Sequence, residues 1–434
     1  MEEITQIDIP LRELVRGLKT DYFGYLQGLI NTHGPIFSFP LKLHTVVIVE
    51  SPPIINHILS ENKDNYLKGA EVVGTSYHYL KAVFGDSLIV MDNPPLWTKH
   101  RRVVMPSLQR ANYPTYAETI VSNCLSMIEK CQQDLKKGPS INISRSITVL
   151  AMRALFNTLF HTSDFDYEKL VDVTDLAKVS NRGSTFKKMV NLYDTLMEDF
   201  IQRRLGQKTP SNDLLDAFLA AYHEEPDQAL ALTLIRNELK GFILAGHETV
   251  ATSLTWAFYL LAQNPEWQNI INDEHAEVLN GRLPQYSDLE KLPKTLAVFK
   301  EVLRLYPPVY TIPRVAVADD VAEDLRIPKG SYIMIPVYHV HRDAKYWPEP
   351  EVFNPERFLG AGLSEAAQKA YLPFGLGQRS CIGREFATME ACLVLTLMCS
   401  QFQFTLPKNF VFEKTATNVL WPKQALELMV VERV

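Results

Sequence analysis

The chain has 434 residues, 46% of them hydrophobic, which is enough for a large buried core. A formal net charge of −6 excludes the strongly basic footprint of a nucleic-acid binder. Charges are scattered through the first thirty residues, so no apolar signal or membrane anchor is read there; the expectation is a cytoplasmic protein without an anchor.

Residues 36–50 (IFSFPLKLHTVVIVE) read as two short strands around a turn, from their Val, Ile and Phe content and partial alternation. Trp97 and Arg101 stand four apart, which on a helix aims an indole N–H and a guanidinium the same way, suited to gripping a carboxylate. Cys124 and Cys131 are seven apart, as are Cys392 and Cys399. On helices each pair is separated by about 10 Å, too far for a disulfide, so free buried thiols in a reducing compartment are expected. The longest helical stretch runs from about residue 232 to 263, roughly 45 Å. His247 and Glu248 interrupt its apolar middle, where charge is most costly in lipid, so it reads as a helix through a protein core. It stops at Asn264-Pro265, where Asn264 is expected to cap the next helix. A further helix over about 292–306 is ended by Pro307 and Pro308. Residues 331–337 read as a strand and the proline-rich segment 342–358 as an irregular meander. Nearly everything else has helical spacing. No linker or repeat divides the chain.

Four constellations carry chemistry. The loop 374–383 reads FGLGQRSCIG and precedes an apolar helical run. A helix start lowers the pKa of a thiol such as Cys381, and glycines let backbone close around the sulfur. As a haem-thiolate loop, Cys381 is the axial ligand, Phe374 packs on sulfur or ring, Arg379 pairs with a propionate, and Gly377 and Gly383 allow tight turns. A phosphate loop fits less well, because Ser380 stands where the third glycine of GxGxxG belongs. The second constellation is AGHET, 245–249: Ala245 and Gly246 leave room for a flat ligand, and Glu248 with Thr249 forms an acid–alcohol pair able to relay protons. A zinc-protease helix is excluded, since Ala251 replaces the second histidine of HExxH. The third is Glu301 and Arg304, side by side on one helix face, with Arg357 of the meander able to complete a buried structural network. The fourth is the Trp97/Arg101 grip, with Arg314 as a further cation for a carboxylate.

Taken in order, Trp97/Arg101, AGHET, Glu301/Arg304, the NPERF stretch and FGLGQRSCIG resemble the cytochrome P450 family over essentially the whole chain. The resemblance implies a mainly α fold, a triangular helical prism with a small β-rich region (about 30–60 and 310–340), forming one domain over 1–434. It implies non-covalent haem b between the long helix and the Cys381 helix. Thr249 and Glu248 are expected on the oxygen side, and Trp97, Arg101, Arg314 and Arg379 on the propionates. Val250 departs from the Thr or Ser often found there, which touches only local hydrogen bonding.

The activity implied is insertion of one oxygen atom from O2 into a hydrophobic organic substrate, by C–H hydroxylation or epoxidation. No flavin or iron–sulfur segment is read in the chain, so electrons are expected from a separate ferredoxin or flavodoxin with its reductase. It would dock on Lys99, Arg101, Arg102 and Arg384 of a monomer. A peroxide-using or non-oxygenating P450 (rearrangement or oxidative coupling) is the alternative, and a haem sensor without turnover a further one. Residues 70–90, 309–312 and 418–421 are expected to line the substrate pocket and do not specify the substrate.

Overall fold

A computed structural model describes residues 2–41, 43–179, 183–411 and 413–433. In chain order, the elements that matter begin with α1 (Leu11–Thr20), α2 (Tyr22–His33), β1 (Ile36–Leu41), β2 (His44–Val49) and β3 (Tyr66–Leu67). Next come α3 (Pro94–Val104), α4 (Tyr113–Leu135), β4 (Ser140–Asn142), α5 (Ile143–Leu159), α6 (Gly183–Leu205) and α7 (Leu214–Ala221). These are followed by α8 (Gln228–Gln263), α9 (Pro265–Leu279), α10 (Pro293–Leu305), β5 (Ile312–Ala316) and β6 (Tyr332–Ile335). The C-terminal part holds α11 (Arg384–Gln401), β7 (Phe402–Thr405), β8 (Lys414–Ala416), β9 (Leu420–Pro422) and β10 (Glu427–Glu432). The architecture is mainly helical with small sheets, as expected. No helix among the described residues is long and apolar enough to cross a membrane.

The chain forms two compact units. The first comprises Met1–Ala82, Leu303–Phe353 and Gly360–Cys381. Its five-stranded sheet has the order β1-β2-β6-β5-β3. The β1–β2 hairpin pairs antiparallel from Ile36↔Val49 to Leu41↔His44, and β2 then pairs parallel with β6, Val46 opposite Tyr332. Phe37, Phe39, Val46 and Ile48 bury one face against Leu14 of α1 and Leu26 and Ile30 of α2. Asp21 caps α2 by accepting from Gly24 N–H at 3.0 Å. β6 ends at Ile335, two residues short of the expected strand; Pro336 has no N–H to offer the ladder, and Val337–Val340 turns helical.

The second unit comprises Val83–Val302, Asn354–Leu359 and Ile382–Val434. Its axis is α8, 36 residues and so about 54 Å long. Asp227 caps it, accepting from Leu230 N–H at 3.0 Å. Its residues from Ala251 to Phe258 are buried on every face, as a core helix requires. Two hydroxyls on this stretch are satisfied by the preceding turn: Ser253 donates to Thr249 O and Thr255 to Ala251 O, both at 2.8 Å. The end of α8 differs from expectation. Asn264 makes no side-chain cap for α9; its amide turns back and donates to Leu260 O at 2.7 Å, closing α8 instead. The strands of this unit, β7-β10-β4 and the β8–β9 hairpin, lie outside the two stretches read as β-rich. Each is only three to six residues long, too short for alternation to register against a helical background.

Two buried carboxyls make the fold pH-sensitive. Burial, with Asp343 nearby, pushes Glu50 in the first unit up to about 7. Burial alone pushes Glu390 in the second unit up to about 8, and its Oε1 has no hydrogen-bond partner among the described residues. Both bind a proton more tightly folded than unfolded. Their contribution is therefore fully present below the ordinary carboxyl range and lost as pH rises through about 7 and 8. Glu50→Gln and Glu390→Gln should raise the melting temperature at about pH 9, by the equivalent of roughly 3 and roughly 5 kcal/mol respectively, and change it little near pH 4. Thermal melts of each variant at the two pH values check this; equal shifts at both would refute it.

Candidate functional site

In the first unit, the cysteine loop is closed by its own backbone. Gly375 N–H donates to Leu372 O at 3.0 Å, Ser380 N–H to Gly377 O at 3.0 Å, and Cys381 N–H to Phe374 O at 2.9 Å. Gly375 and Gly377 adopt φ of +67° and +69°, the left-handed region that favours glycine. At Gly377 a Cβ would also stand 2.0 Å from Leu59 O. The glycine is thus demanded by neighbouring backbone, independently of sulfur or ring. Gly383 does stand in a turn: as N-cap of α11 it takes φ −92° and ψ 14°, the second central position of a type I turn, which does not require a glycine.

Cys381 is exposed, whereas Cys124, Cys131, Cys392 and Cys399 are buried and free. Burial pushes the Cys131 thiol up to about 11 and those of Cys392 and Cys399 to about 12, and raises Cys124 too. Those four sulfurs stay protonated and inert, leaving Cys381 as the cysteine able to offer a thiolate ligand. Among the described residues, no group of three or more His, Cys, Asp or Glu side chains is placed to hold a bare metal ion.

Three arginines singled out in the sequence belong to this unit: Arg379, Arg314 and Arg304. Arg379 ends the turn Gly377–Arg379 and is half-buried. Arg314 is buried on β5 and donates from Nη1 to Pro313 O at 2.8 Å. Ile312 of the same strand reaches within 3.8 Å of where a Cβ on Gly375 would be. Arg304 is fully buried and donates to three meander carbonyls: His341 O at 3.0 Å, Pro350 O at 2.7 Å and Val352 O at 3.1 Å. Sequence reasoning missed His341. Burial and the Arg304 charge push its pKa down to about 3, so it is neutral. Its Nδ1–H donates to Arg304 O at 3.2 Å, and its Nε2 accepts from Leu372 N–H at 2.8 Å. One imidazole thus links α10 to the start of the cysteine loop. A lone histidine in a polar meander gives no periodic signal that would have exposed this role.

In the second unit, the Arg101 guanidinium lies over the Trp97 ring, 5.2 Å from its centroid, so the two side chains act as one stacked pair on α3. On α8, Thr249 Oγ1 donates to Ala245 O at 2.7 Å, which leaves its lone pairs to accept a further proton donor. Trp421 of β9 donates from Nε1 to Glu248 Oε1 at 2.9 Å. At Gly246 the place of the missing Cβ lies 2.7 Å from Leu155 Cδ1, so this glycine also admits the close packing of α5. His247 is buried on the helix and donates from Nδ1 to Ile243 O at 2.6 Å. Glu301, fully buried, accepts from Asn354 N–H at 2.9 Å and Arg357 Nε at 3.4 Å, tying the NPERF stretch to α10.

A second buried cluster was not legible in the sequence. Glu238 of α8 accepts from Leu88 N–H at 2.6 Å and is hydrogen-bonded to His100 Nδ1 of α3; His100 Nε2 meets the Tyr222 hydroxyl. It fixes α3 on α8 at the level of the Trp97–Arg101 turn. The outer face of α3 carries Lys99 and Arg102, both exposed, along a groove of about 690 Å³ with Pro94, Pro95 and Ala221. The Lys99 ammonium sits 3.9 Å from the centroid of the Tyr222 ring.

Comparison with known proteins agrees with this geometry. The sequence model of the family described as Cytochrome P450 matches residues 13–172 and 168–430. A putative cytochrome P450 132 from Mycobacterium bovis is 30% identical over 88% of this chain and 87% of the relative. A cyclooctatin synthase from Streptomyces melanosporofaciens is 30% identical over 86% of this chain and 83% of the relative. A cytokinin hydroxylase from Arabidopsis thaliana is 32% identical over 79% and 71%. With a single exposed cysteine in the expected loop and a family match over nearly its whole length, the chain belongs to the cytochrome P450 family, whose members carry a cysteine-ligated haem.

Proposed function

We propose that this P450 inserts one oxygen atom from O2 into a hydrophobic organic substrate, using electrons from a separate ferredoxin or flavodoxin type of donor. We further propose that the whole chain works as one domain and as a cytoplasmic monomer. The observation that carries this reading is the contrast among the cysteines, one exposed at a helix start and four buried. The haem, when bound, supplies reductive activation of O2 and the oxidising power to attack a C–H bond. The relative named as a hydroxylase supports that reaction class.

The chain's own residues divide the remaining work. Cys381 would supply the thiolate that holds the haem iron, and Phe374 and Ala245 would lie against the haem. Arg379, Arg314 and the stacked Trp97–Arg101 pair would hold its carboxylates; a guanidinium already fixed against an indole loses little entropy on gripping a carboxylate. Glu248 and Thr249 deliver protons, the hydroxyl accepting and passing on what the carboxyl gives. Gly377, Glu301, Arg304 and Arg357 hold the loop and meander in place. Lys99 and Arg102, on the exposed face of α3, receive an acidic electron donor, with Arg384 at the start of α11 adding charge.

The reduced protein under carbon monoxide should show the strongly red-shifted Soret band of thiolate ligation, and Cys381→Ala should abolish it; a band unaffected by the substitution would sink the assignment. Thr249→Ala should retain that band while diverting most electrons to peroxide, measured as peroxide formed per NADPH consumed. Lys99→Glu with Arg102→Glu should slow reduction by an acidic ferredoxin about tenfold at low salt and remove the ionic-strength dependence, as followed by stopped flow. A rate indifferent to salt in the parent protein would refute docking on this face.

A further inference from the structure

The acid of the proposed relay is held from outside its own helix. Within the second unit, Trp421 Nε1–H donates to Glu248 Oε1 at 2.9 Å, and both side chains are buried. The residue before Trp421 is gripped by the same helix: Thr252 Oγ1 and Trp256 Nε1 both donate to Leu420 O, at 2.8 and 2.9 Å. Glu248, Thr252 and Trp256 are spaced four apart, so they form one stripe along α8. The β8–β9 hairpin, in which Thr415 pairs with Trp421, is fastened along that stripe by these three bonds.

The chemistry of an indole limits what such a bond can do. Its N–H donates only; it can neither take up a proton nor pass one on. Trp421 is therefore no member of the relay. What it can do is remove one rotational choice from the Glu248 side chain. Thr249 is bound differently, through its own helix to Ala245 O, so the two relay residues are set by separate parts of the fold.

We propose that Trp421 is a positioning residue for proton delivery: it fixes one carboxylate oxygen of Glu248, and it makes the setting of the acid depend on the β8–β9 hairpin. This rests on the Glu248–Thr249 relay proposed above. Proton supply decides how O2 leaves the enzyme when no organic substrate is present. With two electrons and two protons it leaves as H2O2, and with four of each as two waters, the electrons coming from NADPH through a surrogate ferredoxin and its reductase.

The test measures peroxide released per O2 consumed, in H2O and D2O, on the holoenzyme. Trp421→Phe keeps an aromatic ring and loses the donor. Glu248→Asp keeps the acid but falls one methylene short of the indole. Glu248→Gln keeps an acceptor for the indole and loses the acid. All three should at least double the peroxide share, and Trp421→Phe and Glu248→Asp should also enlarge the solvent isotope effect, with the Soret position under carbon monoxide unchanged. Independently of turnover, 15N-tryptophan spectra of the diamagnetic carbon-monoxide form should show an indole N–H resonance that moves on Glu248→Asp and moves less on Glu248→Gln. Parent-like peroxide share and isotope effect in Trp421→Phe, with Glu248→Gln altered, would overturn the positioning role and leave the relay standing. An unaltered Glu248→Gln would remove the relay and this proposal together. An indole resonance indifferent to Glu248→Asp would overturn the proposal even if Trp421→Phe failed to fold.

Discussion

A helix buried through its middle cannot leave charge unanswered, and α8 carries four ionisable side chains in its buried part. Each is met by a partner from elsewhere or from the preceding turn. Glu238 takes Leu88 N–H and His100, Lys240 donates to Val83 O and Asp194, His247 turns back to Ile243 O, and Glu248 takes the Trp421 indole. An unpaired ion here would cost several kcal/mol, so each partner fixes the element that bears it. The positions of α3, α6 and the β8–β9 hairpin on the helix follow from this requirement.

The same logic orders the first unit on a smaller scale. Arg304 spends its donors on three carbonyls of an irregular segment, and His341, kept neutral by burial and by that guanidinium, hands the constraint on to Leu372 at the mouth of the cysteine loop. A loop with left-handed glycines and no regular ladder would otherwise sample many shapes. Rigid support from buried polar groups lets the cysteine loop keep one shape.

Function and packing share residues less than a motif suggests. In AGHET, Gly246 serves α5 packing and His247 the helix itself, while Thr249 donates to Ala245 O and Glu248 takes the Trp421 indole. In FGLGQRSCIG, Gly377 answers to Leu59 O, and Gly383 has an ordinary backbone conformation. A short motif bundles separate physical demands that only distances can sort.

Much was legible in the sequence alone. Periodicity located α8 and α10, alternation found β1 and β2, and spacing put Glu301 and Arg304 together on α10, because these signals depend on neighbours two to four residues apart. The thiolate candidate was legible too, since glycine placement and a following helix are local features. What the sequence could not contain were bonds spanning a hundred residues or more: Trp421 on Glu248, His100 on Glu238, and the parallel pairing of β2 with β6. Such contacts arise only when separate elements bury their apolar faces together and the polar groups trapped between them must find one another, and no local pattern encodes which ones will meet.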